Sequence, residues 1–188
     1  STGRRIKRSL YIDMNSVELC TPETLKRFGR IEHISVYIAE RQKEVAEWNN
    51  TRVTNPEEVV NGRRLTNLGT YRAYMVAYLR NHPNIHQEMT LLVRQLAPGE
   101  HGLPIEIYCF SSDKRWIEYE DIQADIFDHL IAVAPEFGLN VFQNPTGADF
   151  EKLVAPKEPA KTTTRKRTTT KKKATTRKRQ RLADCAWS

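Results

Sequence analysis

Long apolar runs are missing from this sequence of 188 residues. A transmembrane helix needs about 20 consecutive apolar residues, and the longest apolar stretches here are short pieces such as Met89–Val93. The basic start, Ser1–Arg8, is followed by no long apolar block, which excludes a signal peptide. We therefore expect this piece of chain to be soluble. It also lacks an initiator methionine, which suggests a segment cut from a longer polypeptide.

Cysteine is scarce as well. Cys20, Cys109 and Cys185 stand at wide spacing, without a Cys-x-x-Cys pair for zinc or redox chemistry. An odd number of scattered cysteines fits a reducing cytosol. With 39% hydrophobic residues, the chain can bury one compact core plus appendages, so one domain is expected.

The positive charge of the chain is concentrated at one end. Residues 161–181 hold eleven Lys or Arg and no acid, and subtracting these from the net +7 leaves −4 for the rest. Basic triplets beginning at Arg165, Lys171 and Arg177 are separated by threonine and alanine, so the segment has nothing to bury. We expect a disordered tail over residues 148–188, because like-charge repulsion and conformational entropy oppose compaction.

This basic tail has three possible roles. It could be a solvated end, it could bind nucleic acid through phosphate neutralisation, or it could bind anionic lipid. No aromatic residue lies among the triplets, so any contact should be nonspecific and salt-sensitive.

The first half of the chain predicts a strand and then a helix. The alternation in Ser9–Leu19 indicates a strand near residues 8–13. Thr21 followed by Pro22 is a helix start signal. Apolar residues at helical spacing continue from there, so we expect one amphipathic helix up to about Trp48. They are Leu25, Phe28, Ile31, Ile34, Ile38, Val45 and Trp48.

A loop and a second helix follow. Residues 49–64 contain the breakers Asn55-Pro56 and Asn61-Gly62, which indicate an excursion from the core. The next helical face stops at His82-Pro83, where proline cannot continue the backbone ladder. It consists of Tyr71, Tyr74, Met75, Tyr78 and Leu79.

The second half predicts two strands, a helix and a last strand. Residues 89–96 and 103–110 flank a loop with proline and glycine and should form a hairpin. Apolar residues at spacings of three and four predict a helix over residues 116–134, and residues 139–142 suggest a short final strand.

The order strand, helix, strand, strand, helix, strand predicts an α+β fold, a ferredoxin-like two-layer sandwich with an extra helical excursion. We assign residues 1–8 to the end of a preceding small β domain or linker and residues 9–147 to the α/β domain. Residues 148–188 are the tail.

Two pairs of residues, each spaced four apart, are candidates for chemistry. His82 and His86 have the spacing of a two-histidine metal face, but Pro83 between them breaks the helix that would align them. Asp125 and His129 could be an orienting acid and a base, yet no nucleophile is placed near them, and a surface pair within one helix is favoured.

The remaining candidates are also structural in character. Glu118, Glu120 and Asp121 lie in or just before the first turn of a predicted helix, where they complement its dipole. The stretch Gly62–Gly69 lacks the spacing of a phosphate-binding loop. Cys109, in an alternating strand, suits a small buried hydrophobe. We therefore predict no catalytic residue, no cofactor and no metal.

Two stretches of sequence resemble a known family. The first is Gly3–Asp13. The second comprises Leu65–Tyr74, Tyr78–Pro83, Met89–Leu96, Gly102–Phe110 and Glu118–Leu130. Together they resemble the C-terminal cytoplasmic part of small-conductance mechanosensitive ion channels, miniconductance type.

The resemblance implies a homo-oligomer, a heptamer, whose cytoplasmic domains form a cage beneath a pore in the bacterial inner membrane. Tension would open the pore and release ions and solutes on hypo-osmotic shock, and this segment would support the vestibule without any catalytic residue. Pore helices that would attach the parent protein to the membrane are not in this sequence. The family's C-terminal strand barrel also has no counterpart after Phe150.

Two other functions are weighed against this one. A cytosolic ferredoxin-like module could dock nonspecifically on nucleic acid through its tail, but it should have a basic folded face, whereas the chain outside the tail is acidic. An acylphosphatase-like enzyme on the same fold would need an anion-cradling loop with a placed Arg and Asn, which is not found.

Overall fold

Three antiparallel strands and five helices make up the described part of the chain, residues 2–154, in a computed structural model. The strands are β1 (Arg4–Ile12), β2 (Leu92–Gln95) and β3 (Leu103–Ser111). The helices are α1 (Pro22–Phe28), α2 (Ser35–Arg52), α3 (Asn67–Arg80), α4 (Trp116–Val133) and α5 (Gly147–Val154). Short 3-10 turns occur at Met14–Ser16, Glu32–Ile34 and Ala134–Phe137. None of the described helices combines the length and apolarity required to cross a membrane.

The sheet is built around β3, in the strand order β1-β3-β2. β3 pairs with β1 along all nine residues, from Arg4↔Ser111 to Ile12↔Leu103. On its other side it pairs with the four residues of β2, beginning at Leu92↔Tyr108. Side chains alternate between the two faces of a strand, so this register places one apolar set on a single face.

That apolar face is the core. It is formed by Ile6, Leu10, Ile12, Leu103, Ile105, Ile107 and Cys109, all buried. The helices supply the opposite layer, in which Tyr71, Met75, Ile126 and Leu130 are fully buried. The predicted α+β class is therefore confirmed. On the outer face, Glu106 is only 6% exposed and accepts from Arg94 at 2.7 Å.

The single helix predicted from Thr21 to Trp48 is wrong, because the structure has two helices there. Thr21 caps α1 as predicted, with its hydroxyl accepting from the Thr24 amide. α1 then ends at Phe28, whose following residue is Gly29, and a 3-10 turn leads into α2. The turn lets Phe28, Ile34 and Ile38 all reach the core. Since the apolar spacing continues across the turn, periodicity alone conceals the break.

The later helices agree with the sequence. α3 ends at Arg80, two residues before His82-Pro83, and α4 runs from Trp116 to Val133. The predicted inward face of α4 is confirmed: Ile122, Ile126 and Leu130 are at most 8% exposed. α3 begins where the Thr66 hydroxyl accepts from the Gly69 amide at 3.0 Å, a capping bond that satisfies one free helix donor.

The strands are shorter or longer than predicted. β1 begins at Arg4, earlier than the predicted residue 8. β2 covers only Leu92–Gln95. Six residues separate it from the bridge Ile85↔Ser111, whereas only Cys109 and Phe110 lie between Tyr108 and Ser111 on β3.

The predicted last strand, residues 139–142, is a single bridge between Val141 and Ile12. The segment starts directly after the left-handed Gly138, and its pairing with β1 is confined to the residues around this bridge.

Helix α5 corrects the predicted start of the disordered tail. The described residues fall into two compact units, one ending at Thr146 and one beginning at Gly147. Residues 147–154 form α5, with Asp149 in its first turn, where a structureless segment from residue 148 was expected. The remainder of the predicted tail, including the basic triplets, lies outside the described residues.

Candidate functional site

His82 and His86, the candidate pair for which no metal was predicted, have separate hydrogen-bond partners in the structure. His82 Nδ1 accepts from the Asn84 amide at 3.2 Å, which fixes its ring in the turn after α3. His86 Nε2 lies 3.1 Å from the Thr2 hydroxyl, on the opposite side of that turn. Within the described residues, no cluster of three or more histidine, cysteine or acidic side chains could hold a metal ion.

Instead, the fold gathers aromatic rings and histidines where α3 packs beside α4. We call Tyr74, Tyr78, His82 and His129 the histidine–tyrosine cluster. The Tyr78 and His129 rings are nearly parallel, 9° apart with centroids at 4.3 Å. The Tyr74 hydroxyl lies 2.7 Å from His129 Nε2, and the His82 ring meets the edge of Tyr78 at 5.7 Å. These contacts attach one helix to the other.

The surface pair expected between Asp125 and His129 is not formed in the described structure, where no salt bridge joins them. His129 turns towards α3 and pairs with Tyr74 instead. Burial lowers the pKa of His129, and His33 nearby lowers it further. The His82 pKa is lowered by burial too, while Asp125 acts against that shift. Both rings are thus biased towards the neutral form.

The tyrosines of the cluster are held in the phenol form. Burial raises the pKa of Tyr74, with Tyr78 contributing, and burial together with the charge of Asp125 raises the pKa of Tyr78. A neutral phenol beside a neutral imidazole can donate a hydrogen bond and exchange a proton with solvent. The cluster therefore works as a polar link between two helices.

Sequence reasoning missed both tyrosines as partners of His129. The only sequence feature that points to them is the spacing of four in Tyr74/Tyr78, which puts both rings on one helix face. The face of α4 that meets this pair is set by tertiary packing.

The two cysteines in the described residues are inert. Cys20 and Cys109 are buried free thiols. Burial raises the pKa of Cys109 to about 12 and also raises that of Cys20. A thiol rather than a thiolate is present at neutral pH, so neither is a nucleophile. The prediction that Cys109 is a buried hydrophobe is confirmed.

The stretch Gly62–Gly69 leads into α3 without forming a phosphate loop. The Asn67 amide donates to the Glu18 carbonyl, and the Leu68 amide donates to the Asn67 side chain. The Gly69 amide donates to the Thr66 hydroxyl, and the Thr70 amide donates to the Thr66 carbonyl. The first amides of α3 are therefore occupied by the protein itself.

The acids at the start of α4 have ordinary partners. Glu118 lies in the first turn and forms a salt bridge with Arg115 at 3.0 Å. Glu120 accepts from the Trp116 indole at 3.2 Å. Both contacts are exposed, so each contributes little to stability.

Part of this α+β domain is similar in sequence to known proteins. Residues 75–141, from the second half of α3 to the Val141 bridge, match the sequence model of the C-terminal domain of the mechanosensitive ion channel MscS. A stretch of 80 residues is 31% identical to the low conductance mechanosensitive channel YnaI of Escherichia coli (strain K12). The alignment covers 43% of this chain and 23% of that relative.

Through this C-terminal domain, the chain is similar to the small-conductance mechanosensitive channel family. The family and miniconductance type recognised from the sequence are supported by both findings. The matched region includes β2, β3 and α4 and covers four of the six resembling stretches, all except Gly3–Asp13 and Leu65–Tyr74.

Proposed function

We propose that this chain is the cytoplasmic cage domain of a tension-gated ion channel in a bacterial inner membrane. The observation that carries the proposal is the match of residues 75–141 to the C-terminal domain of this family. The region that matches holds the centre of the core, with Ile105, Ile107 and Ile126 fully buried. A rigid domain of this kind can support a vestibule, because closely packed interiors transmit force with little deformation.

The parent channel would release ions and solutes on hypo-osmotic shock, and the segment would act without enzymatic chemistry. Self-association follows from the same proposal: copies of the domain, seven in the expected cage, would surround the space under the pore. The membrane attachment would come from helices elsewhere in the parent protein, with this segment on the cytoplasmic side. The match to the C-terminal domain of a mechanosensitive ion channel supports an ion-channel role.

We also propose a ferredoxin-like βαββαβ topology for the core. The bridge between Val141 and Ile12 lies at the free edge of β1, on the side away from β3. The Phe142 amide donates to the Tyr11 carbonyl at 2.8 Å, and the Asp13 amide donates to the Asn140 carbonyl at 2.9 Å. A fourth strand in this place would complete the strand order of that fold.

The domain division at residues 9–147 is kept as a proposal with one refinement. β1 pairs with β3 from Arg4 onwards, which moves the first boundary towards residue 3. The separation of the chain into compact units at Thr146 and Gly147 favours the second boundary.

The decisive experiment uses the complete protein encoded by the gene. It would be expressed in bacteria that lack their own mechanosensitive channels, and survival of hypo-osmotic shock and patch currents under suction would be measured. We expect tension-gated currents and improved survival. Light scattering on the purified protein should give a mass of several chains. A monomeric protein without tension-gated current would contradict the proposal.

A further inference from the structure

A cleft between α2 and α3 is lined by arginine from three parts of the chain. Arg41 comes from α2, Arg63 and Arg64 from the loop before α3, and Arg72 from α3 itself. Two cavities of about 130 and 320 Å³ share Tyr37, Arg41 and Gly69 in their walls, so they form one concave surface. We call it the arginine cleft. Its lining contains these four arginines and no acidic residue.

The positive charge of the cleft is only partly neutralised. Glu44 accepts from Arg41 at 2.6 Å and from Arg63 at 2.9 Å. It is the single acid, in the described part of the chain, that forms a salt bridge with any of the four arginines. Four arginines and one glutamate leave three positive charges in the cleft. The residues outside 161–181 carry a net charge of −4, so the cleft is a positive region on an otherwise acidic part of the chain.

Arg72 carries a donor without a partner. Its Nε is buried and has no hydrogen-bond partner among residues 2–154, the part of the chain that the structure describes. A buried donor left unpaired is unfavourable, so this group favours an acceptor in the cleft. The first amides of α3 are already occupied, and contact with a ligand would therefore be made by guanidinium groups.

The loop arginines are held in place before any ligand arrives. The Asn49 side chain donates to the Arg63 carbonyl and accepts from the Arg63 amide, both at 2.8 Å. Gly62, with φ +79°, passes so close to Asn49 that an added Cβ would lie 2.5 Å from its Oδ1. The Arg64 Nε donates to the Val59 carbonyl at 2.9 Å. Such preorganisation reduces the ordering cost of binding.

We propose that the arginine cleft binds a phosphate-bearing anion. The guanidinium fork matches phosphate oxygens in a bidentate way, and three uncompensated positive charges suit a phosphate monoester or pyrophosphate. The anion could be a small soluble phosphate compound or the headgroup of an anionic lipid. Both present the same chemistry to the cleft.

The test follows the Arg72 Nε–Hε and Gly69 amide signals by NMR of the full ¹⁵N-labelled chain. Sodium pyrophosphate is titrated in one arm and vesicles of phosphatidylcholine with phosphatidic acid in the other. Site-specific signals separate the cleft from the basic tail, which also attracts anions. Arg72→Met is compared with Arg80→Met, because Arg80 lies on the same helix but donates to the Gln87 carbonyl.

We expect saturable shifts at Arg72 and Gly69, and affinity about tenfold weaker in Arg72→Met than in Arg80→Met. A response to pyrophosphate identifies a soluble ligand, and a response to vesicles alone identifies a headgroup. If Arg72→Met does not fold, Arg41→Gln replaces it, with the same loss expected. Shifts confined to residues 161–181, or equal affinity in the variant and its control, would overturn the proposal.

Discussion

The contacts within the histidine–tyrosine cluster depend on the protonation state of its members. His129 is the central member, since it stacks on Tyr78 and hydrogen-bonds to Tyr74. Burial lowers its pKa, which means that the folded protein prefers the neutral ring. Protonation would add a charge to a partly buried ring and bring it into repulsion with His33.

This pKa direction predicts a loss of stability in mild acid. The folded pKa of His129 lies below the ordinary value of 6.5, so the unfolded chain binds more protons as the pH falls. The stabilising contribution is present above about pH 6.5 and is lost as the pH falls through the lower, folded pKa. Urea unfolding at pH 7.5 and 5.5 should show this decline, and His129→Gln should make it smaller.

His101→Gln is the control for that measurement, because His101 lies exposed in the hairpin loop. The His101→Gln variant should lose as much stability between pH 7.5 and pH 5.5 as the parent protein does. A decline of equal size in His129→Gln would show that other groups cause it.

Besides Gly62, backbone geometry requires glycine at two positions near β1 and after α4. Gly102 has φ +84° and lies against the end of β1, where an added Cβ would stand 2.5 Å from the Ile12 carbonyl oxygen. Gly138 has φ +69°, but the nearest atom to an added Cβ is 3.5 Å away. Gly99 has neither a positive φ nor any atom within 4 Å of the added Cβ.

The three sites predict an order of stability loss on substitution by alanine. Gly138→Ala should cost about 1–2 kcal/mol for the left-handed backbone alone. Gly102→Ala should cost more, because the clash with Ile12 adds to the backbone strain, and Gly99→Ala should cost least. Unfolding free energies from urea titration measure all three. A Gly102→Ala protein as stable as Gly99→Ala would contradict the described hairpin.

At the scale of elements, the orientation of α4 decides which of its residues are buried in the core. Its inward residues Ile126 and Leu130 are fully buried, while Ile117 in its first turn is 74% exposed. The carbonyl of Leu130 also accepts from the buried Tyr71 hydroxyl of α3. α4 thus joins the sheet and α3 through one face.

Ile126→Asp should unfold the domain. An unpaired carboxylate in the core costs about 3 kcal/mol or more, a large share of the roughly 5–15 kcal/mol that stabilises a typical domain. Ile117→Asp makes the same chemical change at an exposed site, where a carboxylate complements the helix dipole. Circular dichroism melts should show loss of the transition in the first variant only. An unchanged melt for Ile126→Asp would show that the register of α4 is wrong.

For the whole molecule, charge separates the described domain from the basic end of the sequence. The folded part owes its stability to the described core, whereas residues 157–188 have no apolar periodicity in their sequence. Their eleven basic residues between 161 and 181 can attract nucleic acid or anionic lipid without a folded surface.

Deletion of residues 157–188 should therefore leave the melting temperature unchanged, because the deleted sequence has little to bury. Binding to DNA, measured by fluorescence anisotropy at rising salt, should be present in the full chain and lost in the truncated one. Loss of soluble protein on truncation would show that the segment contributes to folding. DNA binding by the truncated chain would instead favour a nucleic-acid surface on the domain.

The sequence by itself determined the α+β class, α3 and α4 with their buried faces, the β2–β3 hairpin and the resemblance to mechanosensitive channels. These features depend on local periodicity, capping residues and turn residues, which act within a few positions of one another. Thr21 and Ile126 could be assigned from such spacing alone, whereas the cap at Thr66 becomes visible only in the structure.

Only the tertiary structure decided the break after Phe28, the reduction of the last strand to one bridge, the histidine–tyrosine cluster and the arginine cleft. Tyr74 and His129 are 55 positions apart in sequence, and no local pattern specifies which helix faces will meet. Likewise Arg41, Arg63 and Arg72 share a cleft because α2, its following loop and α3 fold back on one another. Their convergence is a property of packing, and packing is set by the whole core rather than by any one segment.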